Sequence, residues 1–334
     1  MALTLEDIAR LSGTSRSTVS RVINGDPNVR DATREKIMKV IREVNFQPNL
    51  AARGLAMGRV SVVGLVIPMG VSAIFTDPFF PLLIQGVSSG CNANDYSVML
   101  WLAEPEYERR MISKIMYNGL VDGVIVSSML MDDPIVEALA DSKLPFILIG
   151  RHPTNENVNF VDLDNKKSAK MAVDYLLDQG RKRVATISGP QNMIVGQDRL
   201  QGYRNALEQQ GISVDENLIF EGDFTEVGGY HAMLALLPEK PDAVFVASDS
   251  MALGAMRAIQ ENGLHIPEDV AVIGFDGIAQ GSRCVPTLST VRQPIQEMGA
   301  CAAEAVIDMI LNPGKAPKKI ILKTDLILRE STGN

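Results

Sequence analysis

The sequence predicts an α/β chain: a small all-α helix-turn-helix head, then a body of two lobes, each a doubly wound parallel sheet. Three observations predict it. Residues 15–24 place arginines and small hydroxylated residues on a helix that follows a capped helix and a tight turn. After residue 58, continuous apolar strands alternate with helix-length stretches, the pattern of parallel strands covered on both faces. Finally, Asp122-Gly-Val-Ile-Val-Ser-Ser128 recurs as Asp242-Ala-Val-Phe-Val-Ala-Ser248. Valine-rich strands can match by chance, but here the whole β/α order repeats as well.

In the head, Thr4 and Asp7 form a capping-box variant, and Leu5, Ile8, Ala9 and Leu11 supply the inward spacing of the first helix. Gly13 suits a left-handed C-cap. Ser15 caps the second helix, where Val19, Val22 and Ile23 point inward and Arg16, Ser17, Ser20 and Arg21 point outward. A third helix follows Asp31 with Ile37, Val40, Ile41 and Val44 inward, and Phe46 and Pro48 mark its end. Taken alone, arginines on such a face read as ordinary solvated residues. The charge balance argues otherwise: residues 1–60 carry 10 Lys and Arg against 6 Asp and Glu, whereas the rest carries 22 against 34. A basic head on an acidic body suits phosphate binding by the head alone.

The run Asn49–Leu55 joins head and body. Helices shorter than about 12 residues are marginal in water, and Gly54 weakens this one further. It reads either as a plain linker or as a segment that becomes helical only when docked, and composition does not separate the two.

In the body, strands are expected at 61–67, 97–102, 123–126 and 146–149, with helices at 80–92, 106–118 and 133–141. A second series has strands near 183–188, 218–221, 243–247 and 270–275, with helices near 165–179, 197–210, 226–237 and 250–262. Such sheets bind ligands at the carboxyl ends of their strands, which in a two-lobed body means the cleft.

The 334 residues suggest two or three domains and are 46% hydrophobic and 22% charged. No apolar run approaches 18 residues and the first residues lack a signal-peptide core, so a cytoplasmic location is expected. Cys91, Cys284 and Cys301 are odd in number without metal spacing and read as reduced thiols. The three histidines form no metal or catalytic pattern, and no phosphate-binding glycine loop, nucleophile elbow or metalloprotease helix occurs. No metal, cofactor or catalytic residue is therefore expected.

Specific motifs then converge: Thr4-Leu-Glu-Asp-Ile-Ala9, Ser17-Thr-Val-Ser-Arg-Val-Ile-Asn24, Thr33-Arg-Glu-Lys36, Asn45-Phe-Gln-Pro-Asn49 and Ala51-Ala-Arg-Gly-Leu-Ala56 in the head. In the body they are Ala247-Ser-Asp-Ser-Met-Ala-Leu-Gly-Ala255, Val272-Ile-Gly-Phe-Asp276, Pro286-Thr-Leu-Ser-Thr-Val291 and Gln293. Along its full length the chain resembles the LacI/GalR family of bacterial transcriptional repressors. The resemblance implies a sequence-specific regulator, a homodimer on a pseudopalindromic operator in double-stranded DNA. It divides the chain into a DNA-binding domain (1–47), a hinge helix (48–58), an amino-terminal lobe (59–162 and 291–323) and a carboxyl-terminal lobe (163–290 and 324–334). Chain crossings would fall near 161–164, 290–294 and 323–325. Arg16, Ser17 and Arg21 stand where the family reads bases. Thr4, Ser15, Thr18, Ser20, Asn24 and Thr33 complete the expected DNA-binding set, most of them as phosphate contacts. Leu55 matches the hinge residue that wedges into the minor groove, with Ala52 beside it.

The body would be periplasmic-binding-protein-like, with a small effector held by Phe79, Phe80, Arg151, Met193, Arg199, Phe224, Ser248, Asp249, Asp276 and Gln293. Core packing is the rival role for Phe79 and Phe80, and a helix N-cap for Asp249. Met193 and Val195 stand where purine-responsive members carry polar or charged residues, which favours a carbohydrate. No leucine heptad follows Ile327, so a dimer is expected rather than a tetramer, with contacts on the apolar faces of 74–92 and 106–118. A nucleotide- or sugar-dependent enzyme on a doubly wound sheet is the alternative, opposed by the missing dinucleotide fingerprint and nucleophile–base pair. A secreted sugar receptor is opposed by the basic head.

Overall fold

The structure is a computed structural model that describes residues 3–23, 25–46, 59–67, 71–102, 119–127, 130–131, 133–155 and 157–334. Residues Met1–Ser61 and Val62–Asn334 form two compact units.

The first unit holds helices α1 (Leu5–Ser12), α2 (Arg16–Ile23) and α3 (Asp31–Glu43). Thr4 caps α1 in a full capping box: Asp7 N donates to Thr4 Oγ1 at 3.3 Å and Thr4 N donates to Asp7 Oδ2 at 3.0 Å. Gly13 ends the helix at φ 60°, the left-handed region that glycine enters without strain. Ser15 Oγ accepts from Thr18 N at 3.1 Å and so caps α2. Ile8, Ala9, Val19, Val22, Val29, Ile37 and Phe46 are buried together, with Leu5, Ile23, Val40, Ile41 and Val44 packed against them. Leu11 departs from expectation and is 52% exposed. Position 11 is six residues from Leu5, off the i, i+3, i+4, i+7 stripe. Ser12 takes the inward place and donates its hydroxyl to Ile8 O at 2.7 Å.

The second unit runs β1 (Val62–Ile67), α4 (Val71–Thr76), α5 (Phe79–Asn92), β2 (Ser97–Leu102), β3 (Gly123–Val126), α6 (Pro134–Ala140), β4 (Phe146–Ile149) and β5 (Phe160–Leu163). It continues with α7 (Asn165–Asp178), β6 (Val184–Ser188), α8 (Ile194–Gln209), β7 (Ile219–Glu221), α9 (Glu226–Leu236), β8 (Ala243–Val246), α10 (Asp249–Glu261) and β9 (Ala271–Asp276). The last elements are β10 (Ser289–Arg292), α11 (Ile295–Leu311), β11 (Lys319–Leu322) and β12 (Asp325–Ile327). The expected helix 106–118 lies outside the described residues.

The strands form two sheets, ordered β11-β5-β4-β3-β1-β2 and β12-β10-β9-β8-β6-β7. All pairings are parallel except the antiparallel edge β10–β12. Within each sheet the first five strands are in the order 2-1-3-4-5, the doubly wound arrangement whose ligands sit beside the strand reversal. The repeated heptapeptide supplies the third strand of each sheet, β3 and β8, so the repeat is topological. The chain passes between sheets from Leu163 to Asn165, from Arg292 to Ile295 and from Leu322 to Asp325. Two expected lobe boundaries need correction. Leu163 pairs with Leu322 in the first sheet, whereas Val291 and Arg292 pair with Phe275 and Asp276 in the second. Ladder register overrides the cut at those points.

The sequence pattern gives no expectation for α11. It packs along α5, where a Cβ on Gly86 would collide with the Gln296 carbonyl. Phe80, Leu83, Val87 and Cys91 face inward from α5 into the core of the chain itself. That side of α5 is therefore covered by the chain itself, while Phe75, in the same expected contact stretch, stays exposed. The large apolar side chains most exposed among the described residues are Phe75 (80%) and Val285 (82%).

Candidate functional site

On α2, Arg16, Ser17 and Arg21 are exposed on one side, while Val19 and Val22 anchor the other. The cap Ser15 Oγ shares 2.8 Å hydrogen bonds with Ser17 Oγ and Thr18 Oγ1, which ties the hydroxyls into one cluster at the helix start. Ser20 and Thr33 are half-buried, and Thr33 opens α3. Thr4 is exposed at the N-terminus of α1. These helix starts present backbone N–H groups and small hydroxyls, the usual donors to phosphate oxygens. Both arginines have partners within the head: Arg16 Nε lies 3.1 Å from Glu6 Oε1, and Arg21 Nε donates to Asp26 Oδ2 at 2.7 Å. Asn24, Ala52 and Leu55 lie outside the described residues.

In the second unit a cavity opens between the two sheets. Strand ends build it. Ser127 follows β3, Ile149 and Gly150 close β4, and Asp162 and Leu163 end β5. From the second sheet come Ser248 after β8, Asp276 at the end of β9 and Gln293 after β10. Helices add Phe79, Asn165, Val195, Arg199 and Met298, and loops add Asp77 and Phe224.

Arg199 is the cation of this site. Its Nε donates to Asn165 Oδ1 at 3.0 Å and its Nη1 to Ala247 O at 2.6 Å, while Nη1 lies 3.5 Å from Asp276 Oδ1. The guanidinium also lies 3.7 Å above the Phe275 ring centre. Gln293 Nε2 donates to Asp276 Oδ1 at 2.6 Å. Burial pushes the Asp276 carboxyl well above the usual range, against the pull of Arg199. Burial likewise raises Asp77 and Asp162. Asp276, Asp162, Asp249 and Asp77 all act on the one Arg199 guanidinium.

Phe224 adopts φ 65°, costly for an aromatic residue. Gly189 makes room for its ring, because a Cβ there would collide with Phe224 Cζ. Ser127 is 2% exposed, and its Oγ has no hydrogen-bond partner among the described residues. An orphan buried hydroxyl on a cavity wall is a donor and acceptor reserved for a ligand or water.

Six of the ten expected effector residues line this cavity: Phe79, Arg199, Phe224, Ser248, Asp276 and Gln293. Four do not. Phe80 is 1% exposed and packs in the core, edge-on to Phe79. Asp249 is fully buried. Its carboxylate accepts from Gly277 N, Ile278 N and Thr290 Oγ1, holding the loop that follows Asp276, and burial pushes the carboxyl up to about 6. The N-cap of α10 is Ser248, not Asp249. Met193 precedes α8 and forms a backbone bridge with Leu130. Arg151 sits between Asp162 at 3.1 Å and Asp198, spanning the lobes as an ion-pair strap. Sequence reading missed Asp77, Ser127, Asp162 and Asn165. Only Ser127 carried a signal, since it lies inside the repeated heptapeptide.

Residues 4–49 match the family model for bacterial regulatory proteins of the lacI family, and residues 173–332 match the periplasmic binding protein-like domain. The HTH-type transcriptional regulator CelR of Thermobifida fusca is 38% identical over 332 residues, 98% of each chain. Among solved structures, a CelR–cellobiose complex superposes with TM-score 0.79 at 36% identity, covering 98% of this chain and 99% of that one. The Lac repressor dimer bound to operator and the anti-inducer ONPF superposes with TM-score 0.87 at 25% identity, covering 99% of each chain.

Proposed function

The chain belongs to the LacI family of bacterial regulatory proteins, and from that premise we propose that it is a homodimeric repressor whose grip on operator DNA is set by a carbohydrate in the cavity between its lobes. It is a DNA-binding transcriptional regulator and not an enzyme. In this reading Arg16, Ser17 and Arg21 read bases, and Thr4, Ser15, Thr18, Ser20, Asn24 and Thr33 position the head on phosphates. Leu55 and Ala52 supply the hinge wedge, and the protein acts in the cytoplasm. No described helix is long and apolar enough to cross a membrane.

The observation that carries the ligand class is the wall chemistry. Asp77, Asp162 and Asp276 outnumber Arg199, and Asn165, Gln293, Ser127 and Ser248 add neutral polar groups. Such a wall accepts hydroxyl hydrogens and repels anions, which favours a neutral polyol over a phosphorylated one. Phe79 and Phe224 supply apolar faces for a ring. Asp276 and Arg199 grip adjacent hydroxyls, joined by Gln293.

A thermal-shift panel of neutral sugars, sugar phosphates and nucleobases tests this. A ligand at about 100 times its Kd stabilises by about 2.7 kcal/mol, so one neutral mono- or disaccharide should raise the Tm. A shift with nucleobases or sugar phosphates alone would overturn the carbohydrate reading.

The same ligand should show a defined pH dependence. The Asp276 carboxyl is raised by burial, and only its ionised form accepts two hydroxyl hydrogens. A carboxyl raised by burial takes up its proton at a higher pH than an ordinary carboxylate, so effector affinity should fall on acidification in the wild type. Isothermal titration with Asp276→Asn should show weak binding with a flatter pH profile.

A further inference from the structure

We infer that Asp26 is a positioning residue that sets the presentation of Arg21 to base edges and so sharpens sequence discrimination. The inference rests on the reading of Arg21 as a base reader. Asp26 lies in the turn after α2. Its backbone is fixed at both ends: Asp26 N donates to Arg21 O at 3.0 Å, and Arg34 of α3 donates Nη2 to Asp26 O at 2.6 Å. One carboxylate oxygen, Oδ1, accepts from Asn28 N at 2.8 Å and Asn28 Nδ2 at 3.1 Å. The other, Oδ2, accepts from Arg21 Nε at 2.7 Å. The third helix thus holds the turn, the turn holds the aspartate, and the aspartate holds the arginine.

The edge that is held matters. A guanidinium gripped at Nε keeps its two terminal Nη groups for an outside acceptor pair. Guanine O6 and N7 in the major groove are such a pair and take two parallel donors. A long side chain already ordered in that pose loses less conformational freedom on binding. The carboxyl of Asp26 is held below its usual range, first by the Arg21 hydrogen bond, so it stays ionised near neutral pH. Arg16 has a looser counterpart in Glu6, but those side chains are 68% and 64% exposed, and exposed pairs contribute little.

Asp26 therefore has two opposed effects on DNA binding. As a buttress it favours the matched base. As a negative charge beside the duplex it repels phosphates of every sequence. This gives a signature that a folding defect cannot imitate. Asp26→Asn keeps the side-chain shape and one acceptor for the Asn28 turn, but removes the charge and the second acceptor oxygen.

The test is fluorescence anisotropy at fixed salt on the full chain. It uses a duplex selected from a random pool on the wild type and the same duplex shuffled. Arg21→Ala should lower the selected-to-shuffled affinity ratio about 5- to 150-fold, the range of one bidentate contact, and Asp26→Asn should lower it about three- to tenfold. Affinity of Asp26→Asn for the shuffled duplex should hold or rise. In the Arg21→Ala background, Asp26→Asn should leave the ratio unchanged. If Arg21→Ala leaves the ratio intact, the base-reading assignment is wrong. If Arg21→Ala lowers it but Asp26→Asn does not, or does so equally without Arg21, the buttress is overturned. Weakening of both duplexes alike by Asp26→Asn also overturns it.

Discussion

Asp276→Asn and Arg199→Ala should each abolish the effector response while operator binding persists. Both side chains are almost fully buried in the second lobe, Arg199 in the amino-terminal half of α8 and Asp276 at the carboxyl end of β9, and each is the other's charge partner at 3.5 Å. Removing one member of a buried, hydrogen-bonded charge pair costs roughly 2–5 kcal/mol, about 30- to 5,000-fold in affinity. The two variants should differ in stability. Asp276→Asn leaves Arg199 its bonds to Asn165 and Ala247. Arg199→Ala strips compensation from Asp276, Asp162, Asp249 and Asp77 together, so its Tm should fall further. Titrating the sugar against variant–operator complexes checks the response, and a normal dose response in both variants would place the effector elsewhere.

Arg151→Met should lower the Tm by about 6–20 °C. The guanidinium lies between Asp162 of the first lobe and Asp198 of the second, both carboxylates nearly buried. Its removal leaves two buried anions facing one another across the cleft, with Lys166 at 3.5 Å from Asp198 as the remaining cation. Breaking such a pair from one side costs about 3–5 kcal/mol, and a unit of this size loses about 2–4 °C per kcal/mol. Replacing both sides is far cheaper, so Asp198→Asn should restore part of the loss in the Arg151→Met background. Calorimetry of the single and double variants decides this. An Arg151→Met protein with wild-type Tm but weakened sugar binding would return Arg151 to the ligand role.

Much of this fold was legible in the sequence because its strands are continuous apolar runs and its sheets repeat one order. β1 to β4 and β6 to β9 lie within a residue or so of their expected spans. The short crossing strands β5, β10, β11 and β12 were not legible. Only three or four residues long, they owe their state to pairing with strands remote in sequence. Helix α11 was hidden by its composition: Gly299, Ala300, Ala302 and Ala303 carry little hydrophobic periodicity, yet they permit the close approach to Gly86 and Gly90. In the cavity, Arg199, Asp276 and Gln293 were found through family motifs. Asp77, Asp162 and Asn165 stand at strand or helix ends with no local signature, and only folding brings them to Arg199. Asp249 belongs to the same motif as Ser248, but a side chain one residue further on points into the sheet and clamps a loop. Motif membership does not distinguish a wall residue from the residue that supports the wall.

Coupling between the cavity and the DNA-binding head must be reciprocal. The sugar that raises the Tm is titrated against the free protein and against protein saturated with the selected duplex, and duplex affinity is measured with and without saturating sugar. Thermodynamic linkage requires the two shifts to be the same factor, expected at about 5- to 150-fold. Equal shifts, lost together in Asp276→Asn, are the predicted result. Sugar binding of identical strength with and without the duplex would contradict the account.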